Sequence, residues 1–265
     1  MKNMKRVLIF FLLLFLLPIV TGQLPLPNNE QTSMKPQVEQ KVVHASAAPI
    51  VDVKEILLFF THSHEAYKPI LQTANVKVAN QNKQHNIQSF QGLFEEQFET
   101  LGIKTHTLGT DIMIEMEKQG KKFNQAYKVA RPFVKTAVEQ YKYDLILDIH
   151  RDSLTKKATT ITLNETPYAK IAFVVGAEHP TYEWNLAYAE ALSKELNALV
   201  PGISRGIIKK QGDGVDGIYN QDLAPQMLLI EMGGIDNTEE EIKRTIAVLT
   251  QAIANMFTNE RLQDA

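Results

Sequence analysis

The chain has 265 residues, with 28 basic and 30 acidic side chains, seven histidines and no cysteine. That balance gives no electrostatic footprint for nucleic acid. The absence of cysteine excludes both a disulfide framework and a lipid anchor attached through a cysteine, so an exported form of this chain must be held together by its core.

Lys2, Lys5 and Arg6 precede a run from Val7 to Val20 that is apolar apart from the break at Pro18. A basic segment followed by an apolar stretch short of the roughly 20 residues of a membrane span reads as an export signal. Residues 1–22 are therefore expected to be a signal peptide, with a cleavage site near Val20-Thr21-Gly22, or a short membrane anchor. Without them Lys2, Lys5 and Arg6 are lost and no acid is, leaving 25 basic against 30 acidic residues. Residues 23–50 are rich in Pro, Gln, Asn and Ser, bury too little to offset chain entropy, and read as a flexible linker. Residues 51–265 are long enough for one catalytic domain with a substantial core.

Within that domain apolar runs alternate with helical periodicity, which predicts an α/β fold: three layers, a mainly parallel twisted sheet with helices on both faces. Ile56-Leu57-Leu58-Phe59-Phe60 reads as a buried strand ending in the polar stretch Thr61 to Tyr67. Helices follow at about 87–101, closed by Gly102, and at about 121–141, which feeds the strand Leu145-Ile146-Leu147. Thr159 to Leu163 and Lys170 to Gly176, joined by residues 164–167, are expected to form a small antiparallel hairpin. A helix over 182–199, a strand over 206–210 and a glycine-rich loop over 212–217 come next. The last strand runs through Met227 to Ile230 and ends at Glu231, and Thr238 with Glu241 forms a capping box for the closing helix.

Parallel strands deliver their carboxyl ends to one edge of a sheet, where groups far apart in sequence converge. Three such ends carry ionisable residues here: His62 with Glu65, His150 with Asp152, and Glu231. His62, Glu65 and His150 form a set of two imidazoles and a carboxylate that suits zinc and leaves one position open. His64 is the alternative to His62, but strand alternation points the two in different directions. Asp152 is either the partner that fixes a His tautomer or a turn former. Glu231, at the end of an apolar strand, is expected to be the general base for amide hydrolysis. Arg151 is a candidate for gripping a substrate carboxylate, or a structural ion pair; Asn220 and Gln221 are candidates for hydrogen bonds to sugar or peptide amides, or turn residues. Asp111 and His106 are weaker candidates on neighbouring loops.

Thr61-His62-x-x-Glu65-x-Tyr67, Leu147-x-x-His150-Arg151-Asp152-Ser153, the run Gly217 to Leu223 with Pro225, and Leu229-Ile230-Glu231-x-Gly233 with Asn237-Thr238 resemble the signatures of the stage II sporulation protein P (SpoIIP) family over roughly residues 52 to 257. The resemblance implies an amidase-type α/β fold and a zinc-dependent N-acetylmuramoyl-L-alanine amidase, with endopeptidase activity on cross-links in some members. It implies peptidoglycan as substrate, and as partners a glycan-cleaving enzyme and a membrane protein of the engulfment machinery. By the same resemblance His62 and His150 match the essential histidines and Glu231 the catalytic glutamate, whereas the ligand role of Glu65 rests on spacing. The chain departs from the family at Phe60, where a further histidine is common, and at His64, where small hydroxyl residues are. Two other readings share the ligand spacing or the fold: a zinc carboxypeptidase or endopeptidase on peptides, and a non-catalytic wall-binding module.

Overall fold

The computed structural model describes residues 53–263, with side chains through residue 259; the expected export segment over 1–22 and linker over 23–50 lie outside the described residues. Among the described residues there are eight strands: β1 (Glu55–Phe59), β2 (Lys104–Thr107), β3 (Leu145–Asp152), β4 (Thr160–Leu163), β5 (Thr166–Ala169), β6 (Ile171–Gly176), β7 (Ser204–Lys210) and β8 (Met227–Gly234). Six of them form one sheet in the order β2-β1-β3-β8-β6-β7. β2, β1, β3 and β8 run parallel, β6 is antiparallel to β8, and β7 is parallel to β6.

Among the described residues there are seven α-helices: α1 (Lys68–Thr73), α2 (Gln91–Thr100), α3 (Ile112–Lys118), α4 (Ala126–Gln140), the single turn α5 (Lys156–Thr159), α6 (Tyr182–Leu199) and, after the last strand, α7 (Glu239–Gln263). Successive strand side chains point to opposite faces, so Ile56, Leu58, Leu145, Leu147, Leu228 and Ile230 pack with Phe94, Phe98, Leu192 and Ile246 of α2, α6 and α7. Leu57, Phe59, Ile146 and Met227 pack on the other face with Met116, Ala130 and Val134 of α3 and α4. Phe94 and Phe98 are fully buried, each contributing about 2–3 kcal/mol of apolar burial. The three-layer α/β architecture is thus as the alternation of signals implied. Among the described residues no helix is long and apolar enough to cross a membrane.

The hairpin differs from expectation. β4 pairs with β5, not with the run beginning at Lys170. Asn164 and Glu165, at φ +47° and +62°, make a two-residue turn of the kind that matches strand twist. The run then continues into β6, where all six residues Ile171–Gly176 are buried between β8 and β7. An unbroken apolar run marks a strand covered on both faces, and β6 is such a strand. α1 and α3 were also not anticipated; α3 begins where the Asp111 carboxylate accepts the Ile114 amide at 3.1 Å, a side-chain N-cap.

Candidate metal centre

Alternation along β3 turns Ile146, Asp148 and His150 toward the face covered by α4, and alternation along β8 turns Glu231 the same way. His150 and Glu231 are register partners on adjacent parallel strands. The loop after β1 brings the third segment. Its hydrogen bond from Glu65 N to His62 O, 2.9 Å, turns the chain back, and Thr61 is tied to Asp148 through both its amide (2.8 Å) and its hydroxyl (2.7 Å). The result places His62, Glu65 and His150 with one potential ligand atom each, all within 4.8 Å of one another.

Glu65 bridges the two rings. Its Oε1 lies 3.3 Å from His62 Nδ1 and its Oε2 3.8 Å from His150 Nδ1. The same Oε2 accepts the Arg151 amide at 2.7 Å, which fixes the carboxylate's rotation. On the far side of the His150 ring, Nε2 stands 3.0 Å from Asp148 Oδ1. That contact is near enough for strong attraction but lies off hydrogen-bond alignment, since Nε2 has no aligned partner. A carboxylate behind a ring nitrogen favours the proton there and leaves Nδ1, which faces Glu65, free to donate its lone pair.

Buried polar atoms without a partner lie here, His62 Nε2 and Glu231 Oε2, while His150 Nε2 has only the unaligned Asp148 carboxylate. Buried polar groups are normally satisfied, so a cluster of orphans marks a place for a ligand. Burial, and then the charge of Glu65, push the Glu231 carboxyl up to about 8. Burial resists charging His150, but Asp148, Glu65 and Glu231 outweigh it and raise its imidazole to about 9. Burial also opposes ionisation of Glu65, yet the two histidines hold it below its ordinary value. Glu65 and the two imidazoles form a donor set suited to a divalent cation.

Other residues singled out in the sequence are committed elsewhere. Asp152 does not partner His150: its carboxylate is taken by Arg205 and by the Leu154 amide at 3.0 Å, and Asp148 stands behind the ring instead. The Arg151 guanidinium is buried and donates to the backbone carbonyls of Asn80 (2.7 Å) and Asp152 (3.2 Å), so it pins the 77–86 loop and offers no free fork to a carboxylate. Asn220 donates to Tyr127 O at 2.9 Å and accepts from Arg131 at 3.2 Å. Gln221 donates to Val174 O and accepts from Gly176 N, both at 2.8 Å. Both amides satisfy buried backbone and present nothing to a substrate. His64 turns to Asp111 at 3.0 Å, away from the cluster, while Asp111 also accepts from Ser63 Oγ at 2.7 Å. His106 pairs with Glu55 at the opposite end of the sheet.

Three further residues belong to this neighbourhood. Asp148 is 1% exposed inside an apolar strand, and a buried carboxylate in such a run was the available signal. Phe123 stacks on His62 with ring centroids 4.2 Å apart, and Tyr127 lies 5.3 Å from His62 and 6.0 Å from His150. At the end of β8, Gly234 passes so close to the Leu154 carbonyl that a Cβ would sit 2.2 Å from its oxygen. Asn237 then accepts the Gly234 amide at 2.7 Å, and Thr238 and Glu241 exchange the expected capping bonds at 2.9 and 3.3 Å.

A three-layer α/β protein with a His-Glu-His cluster beside a half-buried carboxylate whose Oε2 has no partner is the class these observations define. The chain belongs to the stage II sporulation protein P (SpoIIP) family, whose model matches residues 24–254. It is 35% identical over 207 residues to stage II sporulation protein P of Bacillus subtilis (strain 168), a match covering 78% of this chain and 52% of that relative. The chain thus spans about half the length of the curated relative it matches. Among solved structures it is similar to the N-acetylmuramoyl-L-alanine amidase from Clostridium difficile 630, at 14% identity, 78% of this chain, 96% of that one and a TM-score of 0.47. It is also similar to a metallo-carboxypeptidase from Burkholderia cenocepacia, at 11% identity, 82% of this chain, 59% of that one and a TM-score of 0.42. The functional reading rests on the family and on the chain's own residues.

Proposed function

We propose that the chain is a zinc-dependent N-acetylmuramoyl-L-alanine amidase, exported to the cell wall, that cuts the amide between muramic acid and the first alanine of the stem peptide during sporulation. The observation that carries this reading is the meeting of His62, Glu65 and His150 beside the orphaned Oε2 of Glu231, in a chain of the SpoIIP family. His62, Glu65 and His150 would hold the ion. The donor set fits: two imidazoles present Nδ1 toward one carboxylate, and the surrounding orphan atoms ask for a charged ligand. Zinc bound there supplies a Lewis acid for the scissile carbonyl and lowers the pKa of water.

The protein's own groups do the rest. Asp148 orients His150, and the Arg151 amide orients Glu65. Glu231 takes the proton of the attacking water and returns it to the leaving alanine nitrogen. A carboxylate beside the ligand set serves both steps, first as base and then as acid. Phe123 and Tyr127 line the His62 ring and limit water around it. The basic and apolar opening from Lys2 to Val20 supports export, as a cleaved signal or as an anchor. A glycan-cleaving enzyme and a membrane protein of the engulfment machinery are the partners this reading expects.

The test is digestion of purified peptidoglycan with the zinc-loaded protein and mass spectrometry of the soluble products. Peptides with free N-terminal alanine are expected. Products cut only within the glycan, or trimmed only at the peptide carboxyl end, would overturn the proposal.

A further inference from the structure

Phe123 is 46% exposed although its ring lies flat against His62, at 4.2 Å between centroids and 28° between planes. It opens a short 3-10 turn, Phe123–Gln125, that runs directly into α4. The turn is closed locally: Gln125 N donates to Lys122 O at 2.8 Å, and the Gln125 side chain accepts the Lys122 amide at 3.0 Å. Tyr127, four residues on and therefore on the same side of the helix start, places its ring 5.3 Å from His62. Phe123 is thus held over one face of a candidate metal-binding histidine while its other face stays open to solvent. A phenyl ring that served only to shade His62 would be covered in turn; this one leaves an apolar face unused beside the chemistry.

We propose that the open face of Phe123 is the platform for the muramyl pyranose ring, and so a specificity-determining residue for the sugar side of the substrate. This rests on the amidase reading above. A pyranose has an uncharged face of C–H groups that lies flat on an aromatic ring, which lets it bury that face without stranding its hydroxyls. In the substrate the muramyl ring is joined through its lactyl group directly to the scissile carbonyl, so it is the first ring-sized group reached from the His62 cluster on that side. The other side offers only the methyl group of alanine, too small to cover a phenyl face.

The experiment measures binding by calorimetry with zinc present, in the Glu231→Gln background so that nothing is cut. Two probes are compared: a muramyl stem peptide and the same stem peptide without the sugar. Phe123→Ala is expected to weaken the muramyl peptide about fivefold, the size of one aromatic stacking contact, and to leave the free peptide unchanged. Phe123→Trp should restore the muramyl peptide. Zinc affinity, measured by chelator competition, should stay within about twofold in both variants, because Phe123 is uncharged and its replacement leaves every candidate ligand and the Asp148 charge in place. Equal weakening of both probes, a parallel loss of zinc affinity, or no effect on either would overturn the assignment. The wall digest separates this from the amidase reading. Amide cleavage without a sugar-dependent difference sinks the platform alone; the difference without amide cleavage sinks the amidase reading alone.

Discussion

At the amino-terminal end of the sheet, Glu55 meets His106, Lys104 and Tyr141, with the lysine ammonium 3.2 Å away and the His106 ring 4.8 Å from Tyr141. Hydrogen bonds from Tyr141 and His106 hold that carboxyl at about 2. At the carboxyl end, Glu231 stands beside His150, whose ring and that of His62 lie near Tyr127, and burial with the Glu65 charge lifts it to about 8. The residue types are nearly the same: a carboxylate, imidazole and tyrosine at each end. What differs is completeness. The Glu55 cluster includes its own cation, whereas the Glu231 cluster holds buried atoms without a partner, His62 Nε2 and Glu231 Oε2. Missing partners, rather than the mere presence of histidine and glutamate, set the candidate site apart.

The contrast can be broken most severely at Glu231. Glu231→Gln should reduce amide release from peptidoglycan by about a thousandfold, the scale of a lost general base, while thermal unfolding shows the protein still folded. Next in size is Asp148→Asn. It leaves all three candidate ligands in place but removes the charge behind His150, and should weaken zinc about 10- to 100-fold in chelator competition.

The two ends also respond oppositely to pH in the metal-free protein. Glu231 has a folded pKa of about 8 against an ordinary 4.5, so the unfolded chain ionises first and stability falls as pH rises between those values. His150, raised from 6.5 to about 9, contributes stability that is complete below 6.5 and is lost as pH rises through 9. Glu55, lowered from 4.5 to about 2, contributes stability present above 4.5 and lost as pH falls toward 2. Urea unfolding across pH should show both limbs, and Glu231→Gln should flatten only the limb that begins near 4.5 and declines upward. The smallest effect is expected from His106→Ala: amide release within about twofold of wild type, as befits a half-buried pair at the far end of the sheet from the site. A large loss of activity there would erase the distinction between the two ends.

Much of this arrangement was legible in the sequence because strand ends are where polar residues follow apolar runs. His62, Glu65, His150 and Glu231 all occupy such positions, and the topology brings them to one edge. Asp148 was not legible, since it interrupts an apolar strand where the eye reads core; only the cost of burying a lone carboxylate signals it. For Arg151, at the end of β3, and for Asn220 and Gln221, in the loop before β8, the sequence leaves a substrate role and a structural one equally open. In the folded protein they satisfy carbonyls and amides that the packed sheet and loops leave behind, a demand that depends on tertiary neighbours. The same dependence hid the place of β6: its apolar run was visible, but only pairing with β8 and β7 makes it a central strand rather than a hairpin arm.

The central claim is that one ion sits among His62, Glu65 and His150, with Glu231 beside it. Crystals of the zinc-loaded protein, with data collected on both sides of the zinc absorption edge, test it most directly. A single anomalous peak is expected between Nδ1 of His62, Nδ1 of His150 and the Glu65 carboxylate. A peak at His64 and Asp111 instead, or zinc bound only on the surface, would contradict it.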